Sequence, residues 1–395
     1  MDSQIKKYIP TKIAGYVGFF VQAIVNNFLP ILFIVFQNVY NLSYEKLGRL
    51  MVFNFATQMA VDLVTPKIVE KIGYRKSAIL SQVLAGLGLA LLGLLPNIMS
   101  NTYLAIIVCI MIYATGSGLT EVILSPMIEM LPTGNKSGNM AVLHSFYCWG
   151  QAVTIIVTSL LVIAFGFLNW VYIPLIWSVI PFVNAISFSK VPIVEPSPDQ
   201  KQSTFLELIK SKKFIVYMIM MLCAGASEIA MAEWASIFAQ NALGVSKFVG
   251  DLAGPCAFAL LMGSGRVIYA LFSKKVSFTK LIIALNVLCT VCYLTVAICK
   301  IPFVALIFCA LCGFSVSISW PGIYSAGARS FKRGGAVMFS VFAMCGDTGC
   351  CLGPWIIGLL ADKYSLNLGF GVASVFPIAM VLCGLYILKN KDCKN

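Results

Sequence analysis

A carboxyl group inside a long apolar run is the feature of this sequence with the most chemistry in it. Glu121 lies in Gly116-Ser-Gly-Leu-Thr-Glu121-Val-Ile-Leu-Ser125, with Ser117 and Ser125 four residues to either side. That spacing puts all three on one face of a helix. An ionisable group at the centre of a membrane helix costs at least about 2.5–3.5 kcal/mol, so it usually faces a cavity and has a function. Desolvation favours the neutral form of a carboxyl, which suits it to take up and release a proton. Glu121 is therefore the first candidate for proton coupling. Asp347, flanked by Gly346 and Gly349, is the second. Small residues also permit close helix packing, so Asp347 has a structural reading beside the coupling one. Glu129 falls near the end of its apolar run and reads as a solvated or gate residue. Glu228 and Glu233 are five residues apart, about 140° around a helix. They cannot both face one narrow cavity unless the helix breaks.

Two polar stripes accompany these acids. His144, the only histidine, Tyr147 and Gln151 fall at i, i+3 and i+7, and Gln22 and Asn26 at i and i+4. Each stripe can hydrogen-bond a hydroxylated solute; each can also serve a helix contact. Trp149, Trp234, Trp320 and Tyr324 could form the aromatic platform that carbohydrates need, although aromatics at membrane depth also pack or form interfacial belts. Arg266 could pair with an acid, and nothing in the sequence selects which. No nucleophile–base pair, metal-ligand cluster, cofactor motif or Walker-type motif is present, so neither an enzyme nor an ATP-driven pump is expected, and no cofactor. The cysteines, as in Cys289-x-x-Cys292 and Cys309-x-x-Cys312, lie in apolar runs and read as small apolar filler.

The elements that must hold these groups follow from composition. Hydrophobic residues make up 59% and charged residues 11% of the 395 residues, with mean hydropathy +0.91. A soluble domain carries roughly 25% charged residues, so this chain is expected in a lipid bilayer. Continuous apolar runs, without strict alternation, disfavour a β-barrel. Twelve apolar windows of about 20 residues emerge. Their cores are 13–37, 47–66, 77–95, 102–124, 138–165, 169–189, 213–240, 248–272, 279–299, 302–326, 335–361 and 367–388. The first is too long for a signal-peptide core and is read as a retained span. The fold expected is an all-α membrane protein of twelve helices.

Charge orients it. Of 28 Lys and Arg, 22 fall in one alternating set of connections and 5 in the other, with Arg266 inside span 8. The richer set holds both termini, which places them in the cytoplasm of a multi-pass cell-membrane protein. The net charge of +13 is thereby explained by topology, and no nucleic-acid partner is expected. Val191–Lys213, polar and with three prolines, reads as a cytoplasmic linker. It divides the chain into a half of residues 1–190, a linker of 191–212 and a half of 213–395.

The halves resemble each other. Ser125-Pro126 aligns with Trp320-Pro321, and His144–Gln151 with Ser340–Asp347, sharing Phe146/Phe342 and Gly150/Gly346. Two six-helix halves with equivalent elements in the same orientation describe one large transporter class, whose substrate site lies near the midplane between the halves.

Two motifs make the class specific. Pro66-Lys-Ile-Val-Glu70-Lys-Ile-Gly73-Tyr-Arg75-Lys76 resembles the major facilitator signature Gly-x-x-x-Asp-x-x-Gly-Arg-Arg/Lys, with Pro66 and Tyr74 as departures. The resemblance implies that Glu70, Gly73, Arg75 and Lys76 form a cytoplasmic gate motif that latches the two halves. Glu121 with Ser125-Pro126, Gly225-Ala-Ser-Glu228 followed by Trp234, and Gly265-Arg266 are similar to the fucose:proton symporter family, with Ser125 in place of an Asn. That family carries an acid in span 1, where this chain has Gln22 to Pro30 and none. The resemblance therefore does not carry fucose itself, and it implies a simpler coupling. It favours Glu228 over Glu233 for recognising substrate hydroxyls.

Together these readings describe a secondary transporter that moves a small polar solute, a sugar in the first place, with protons by alternating access. Glu121 and Asp347 are the proton-coupling candidates. Gln22, Asn26, His144, Tyr147, Gln151, Glu228, Trp234, Trp320 and Tyr324 are the substrate-binding ones. The partners expected are solute, proton and lipid, and the working unit a monomer. Efflux of amphipathic compounds by proton antiport is the alternative within the class; a transporter-like receptor is the alternative outside it.

Overall fold

A computed structural model describes residues 6–132, 134–195, 203–243, 249–250, 252–299 and 301–390. Helices account for nearly all of them, and no strand occurs among the described residues. Eleven helical stretches are long and apolar enough to cross a membrane. One of them, Lys46–Ile98, has 53 residues, about 80 Å at 1.5 Å per residue, against a hydrocarbon core of about 30 Å. It holds two crossings, because the chain reverses at Gly73 (φ 79°, ψ 167°). Only glycine enters that region readily, since a Cβ would clash with the backbone. Counted so, the crossings among the described residues number twelve, as the hydropathy windows require.

The boundaries differ from the windows where polarity and helicity part company. Span 2 was expected to end at residue 66, but the helix runs through Pro66 to Gly73, with Lys67, Glu70 and Lys71 exposed. A membrane helix tolerates proline because neighbouring groups can satisfy the freed backbone carbonyl. Span 8 opens with a single π-helical turn, Leu252–Cys256, containing Pro255, before Ala257–Phe272. Span 10 is broken into Pro302–Val316 and Ser319–Ser330. Elsewhere the ends carry ordinary caps. Asn101 accepts from Leu104 N–H at 3.0 Å to start span 4, and Thr204 and Glu207 form a capping box in the linker. Residues 196–202 of the expected linker lie outside the described residues.

The chain divides into two compact units, 1–133 with 153–197, and 134–152 with 198–395. The continuous helix Lys136–Phe165 of span 5 thus gives its residues up to Ala152 to the second unit and the rest to the first. In the first unit, Ile24, Phe28, Leu32 and Phe36 of span 1 pack with Leu89, Ile110 and Trp170 in one buried core. In the second unit, spans 7 and 11 meet backbone to backbone. A methyl group on Gly225 would collide with the Gly346 carbonyl, and one on Gly349 with the Leu222 carbonyl. Such contact suits a bilayer, where helices associate by close packing because lipid is as apolar as the side chains. Outward faces are apolar, as at Leu63, Ile163, Leu271 and Leu382.

Candidate functional site

In the first unit the polar side chains form two connected layers. Gln22 Nε2 donates to Glu121 Oε2 at 2.7 Å, joining span 1 to span 4. One helical turn away, Asn26 Oδ1 accepts from Gln58 Nε2 at 3.0 Å and from Asn54 Nδ2 at 3.5 Å, while Ser117 Oγ donates to Gln58 Oε1 at 3.0 Å. Gln22 and Asn26, at i and i+4 on one face of span 1, thus meet different helices, Gln22 on span 4 and Asn26 on span 2. A separate amide chain ties spans 1, 3, 4 and 6. Gln82 Nε2 donates to Thr120 Oγ1, and Asn184 Nδ2 donates to Gln82 Oε1 and the Ala14 carbonyl, each at 3.1 Å. Glu121 is 6% exposed, and the Oε1 of buried Gln22 has no hydrogen-bond partner among the described residues. A buried amide oxygen left so is an acceptor in search of a donor.

In the second unit Arg266 organises three neighbours. Its Nε donates to the Ser317 carbonyl at 2.9 Å, its Nη1 to the His144 carbonyl at 2.7 Å, and its Nη2 pairs with Glu228 Oε2 at 3.2 Å. Ser317 lies at the break of span 10, where carbonyls lose helical partners. The guanidinium fork supplies donors in several directions at once, which a lysine cannot. Beyond the break stands an aromatic group. The His144 ring lies 5.6 Å from that of Tyr324, Trp320 lies 6.2 Å from Tyr324, and Phe339 stacks on Tyr324 at 5.2 Å. Trp320 is seated on Gly346, where a methyl group would strike its ring. The indole Nε1 of Trp320 and the hydroxyls of Ser227, Ser319 and Ser325 are buried without hydrogen-bond partners among the described residues.

The structure brings together some of the expected residues and separates others. Gln22 meets Glu121, and His144, Trp320 and Tyr324 form one group. Asn26 meets Gln58 and Asn54. Glu228, expected to bind substrate hydroxyls, has its carboxylate engaged by Arg266. Trp234 donates to the Pro354 carbonyl at 3.1 Å, a link between spans 7 and 11. Gln151 and Asp347 are buried, and Tyr147 is half-buried.

At the gate motif, Glu70 and Lys76 are exposed. Arg75 Nη1 donates to the carbonyls of Phe188 and Ser189 at 3.0 Å, at the end of span 6. The carboxylate at the start of span 3 is that of Glu195, which accepts from Tyr74 N–H and Arg75 N–H, both at 3.1 Å. An anion there satisfies free N–H groups and complements the helix dipole.

Sequence reading passed over Gln58, Asn54, Asp62, Gln82, Asn184 and Glu195. A signal existed for three of them: Asn54, Gln58 and Asp62 recur every four residues within an apolar run. Glu195 gave none, because its partner lies 120 residues away.

Comparison with known proteins places this architecture. The family profile described as Major Facilitator Superfamily matches residues 15–354. The membrane protein MosC of Rhizobium meliloti is 23% identical over 346 residues, covering 87% of this chain and 81% of that protein. Among solved structures, a variant of the E. coli fucose:proton symporter FucP is similar with TM-score 0.80 and 16% identity, covering 96% of this chain and 99% of that one. The proton:xylose symporter XylE, bound to 6-bromo-6-deoxy-D-glucose, is similar with TM-score 0.81 and 12% identity, covering 98% and 96%.

Proposed function

The chain belongs to the major facilitator superfamily, and on that premise we propose that it is a secondary transporter moving a small polar solute, a sugar in the first place, together with protons. The observation that carries this reading is the Gln22–Glu121 hydrogen bond of 2.7 Å in the buried layer of spans 1 and 4. A carboxyl there can exist charged or neutral, and its amide partner keeps one acceptor open. A solute hydroxyl that donates to Gln22 Oε1 would therefore sense the protonation of Glu121. Coupling requires that proton and solute bias the same conformational equilibrium, and Gln22 gives the two binding events a shared side chain through which to do so.

In the second unit, Trp320, Tyr324 and His144 are assigned to the solute. Aromatic faces suit the C–H faces of a sugar ring. The unpartnered N–H and hydroxyl groups nearby suit its oxygens. Asp347 is kept as a second coupling candidate. FucP and XylE are described as proton symporters, which agrees with this reading. We place the protein in the cell membrane as a monomer, with both termini in the cytoplasm, an orientation that the distribution of Lys and Arg supports.

The test is reconstitution into liposomes with an internal pH dye and addition of a sugar panel from outside. Internal acidification with one sugar, lost in Glu121→Gln, supports the reading. A pH response to lipophilic compounds alone would replace it with proton-antiport efflux.

A further inference from the structure

Asp62 is fully buried, at 0% exposure, and plays no part in the assignments above. It stands on span 2 in a line with Asn54, Gln58 and Thr65, each at most 1% exposed. Val52, Leu63 and Val64 occupy the opposite, exposed face. The helix thus presents a polar edge inward and an apolar edge outward.

What Asp62 faces follows from register. Spans 2 and 4 run parallel, because span 3 is antiparallel to both. Tyr103 Oη donates to the Lys46 carbonyl, a separation of 57 residues, and Ser117 Oγ donates to Gln58 Oε1, a separation of 59. A methyl group on Gly118 would lie 3.2 Å from both Gln58 and Val61, separations in the same range. A constant offset along two helices fixes which residues share a level. It sets Asp62 at the level of residues 119–122, which include Glu121. The faces agree as well. Asp62 is one turn past Gln58, Glu121 is one turn past Ser117, and Gln58 touches Ser117. Residues at i and i+4 share a face.

We propose that Asp62 and Glu121 act as one carboxyl pair that shares a proton, so that the proton site is the pair and not Glu121 alone. The proposal rests on the proton-coupled reading above and deepens it. Two carboxylates in one buried layer repel, so one proton is held between an acid and a carboxylate, and the two groups titrate as a unit. Span 1 presents the amides of Gln22 and Asn26 at this level. The other titratable or charged groups on the surrounding elements are Tyr103, Cys109, Tyr113 and Glu129 on span 4, Lys12 and Tyr16 near the start of span 1, Tyr74, Arg75 and Lys76 at the start of span 3, and Tyr172 and Lys190 at the two ends of span 6. Glu129 lies two turns beyond Glu121 on span 4.

The decisive measurement is infrared titration of carboxyl bands in the purified, reconstituted protein, which needs no solute. Asp62→Asn is expected to replace two coupled steps by one and to move the Glu121 titration by about one pH unit or more. In the same variant, proton-driven accumulation should fall about tenfold while solute counterflow, which moves no net proton, persists. Asp62→Glu should restore the coupled titration. A Glu121 titration unchanged in Asp62→Asn overturns the pair. Should Asp62→Asn fail to fold, the titration of Asp62 in Glu121→Gln decides the matter by the same criterion. Absence of proton-driven uptake in the wild type would remove the transport reading, and the infrared titration would still decide the pair.

Discussion

Arg266 and Glu228 form a buried ion pair, Nη2 to Oε2 3.2 Å, and the same guanidinium holds the carbonyls of His144 and Ser317. Spans 5, 7 and 10 therefore converge on one side chain of span 8. A buried pair that also donates to two backbone carbonyls, one of them at the break of span 10, does more for packing than a lone ion pair, whose attraction is offset by desolvation.

Removal of one partner leaves a buried charge exposed to an apolar surround. Arg266→Ala is expected to destabilise the protein by about 3–5 kcal/mol. Glu228→Gln should cost less, because Gln keeps an acceptor for Arg266, and Arg266→Lys should not restore stability, because an ammonium cannot reach three acceptors in this geometry. Thermal unfolding in detergent orders the three variants.

Trp320 offers a buried indole N–H that nothing among the described residues accepts. Trp320→Phe keeps an aromatic face, smaller than the indole, and removes the donor. On the sugar reading, KM should rise about two- to tenfold with kcat little changed, the worth of one neutral hydrogen bond. Uptake kinetics in proteoliposomes measure this, and an unchanged KM would remove Trp320 from the solute's contacts.

Gly346 leaves the space that the Trp320 ring fills, and its carbonyl lies against Gly225. Gly346→Ala must displace one or the other. Overpacking of this kind costs about 1–3 kcal/mol, so the melting temperature should fall, and Trp320 fluorescence should shift with it.

Glu195 caps span 3 at its first two N–H groups, and Arg75 holds the end of span 6. Glu195→Ala is expected to cost about 0.5–2 kcal/mol, the worth of an N-cap. Hydrogen exchange should rise at Tyr74 and Arg75 first. Glu70→Ala, at an exposed side chain, should leave that exchange unchanged.

The twelve crossings were legible in the sequence because each one is a local property. A run of apolar residues long enough to span lipid declares itself without reference to any other run. The superfamily resemblance was legible for the same reason, since its signature residues lie within one short stretch, Pro66 to Lys76, from the end of span 2 to the start of span 3. Gly73 was legible only as a residue of that signature; that the chain reverses there, at positive φ, came from the structure.

Pairing between helices was not legible. Which acid meets Arg266 depends on the rotation and level of spans 7 and 8, and several acids share the same local setting. Glu121 was singled out by its apolar flanks, whereas its donor Gln22, 99 residues away, was found only as one half of a stripe. Asp62 has flanks as apolar as those of Glu121, and only the register of span 2 on span 4 gives it a partner level. The capping acid at span 3 came from the linker and not from the motif, since a carboxylate reaches a helix end through space. Span length is written in the chain, but the register of one helix on another is set by close packing of many small contacts, and only the folded structure decides it.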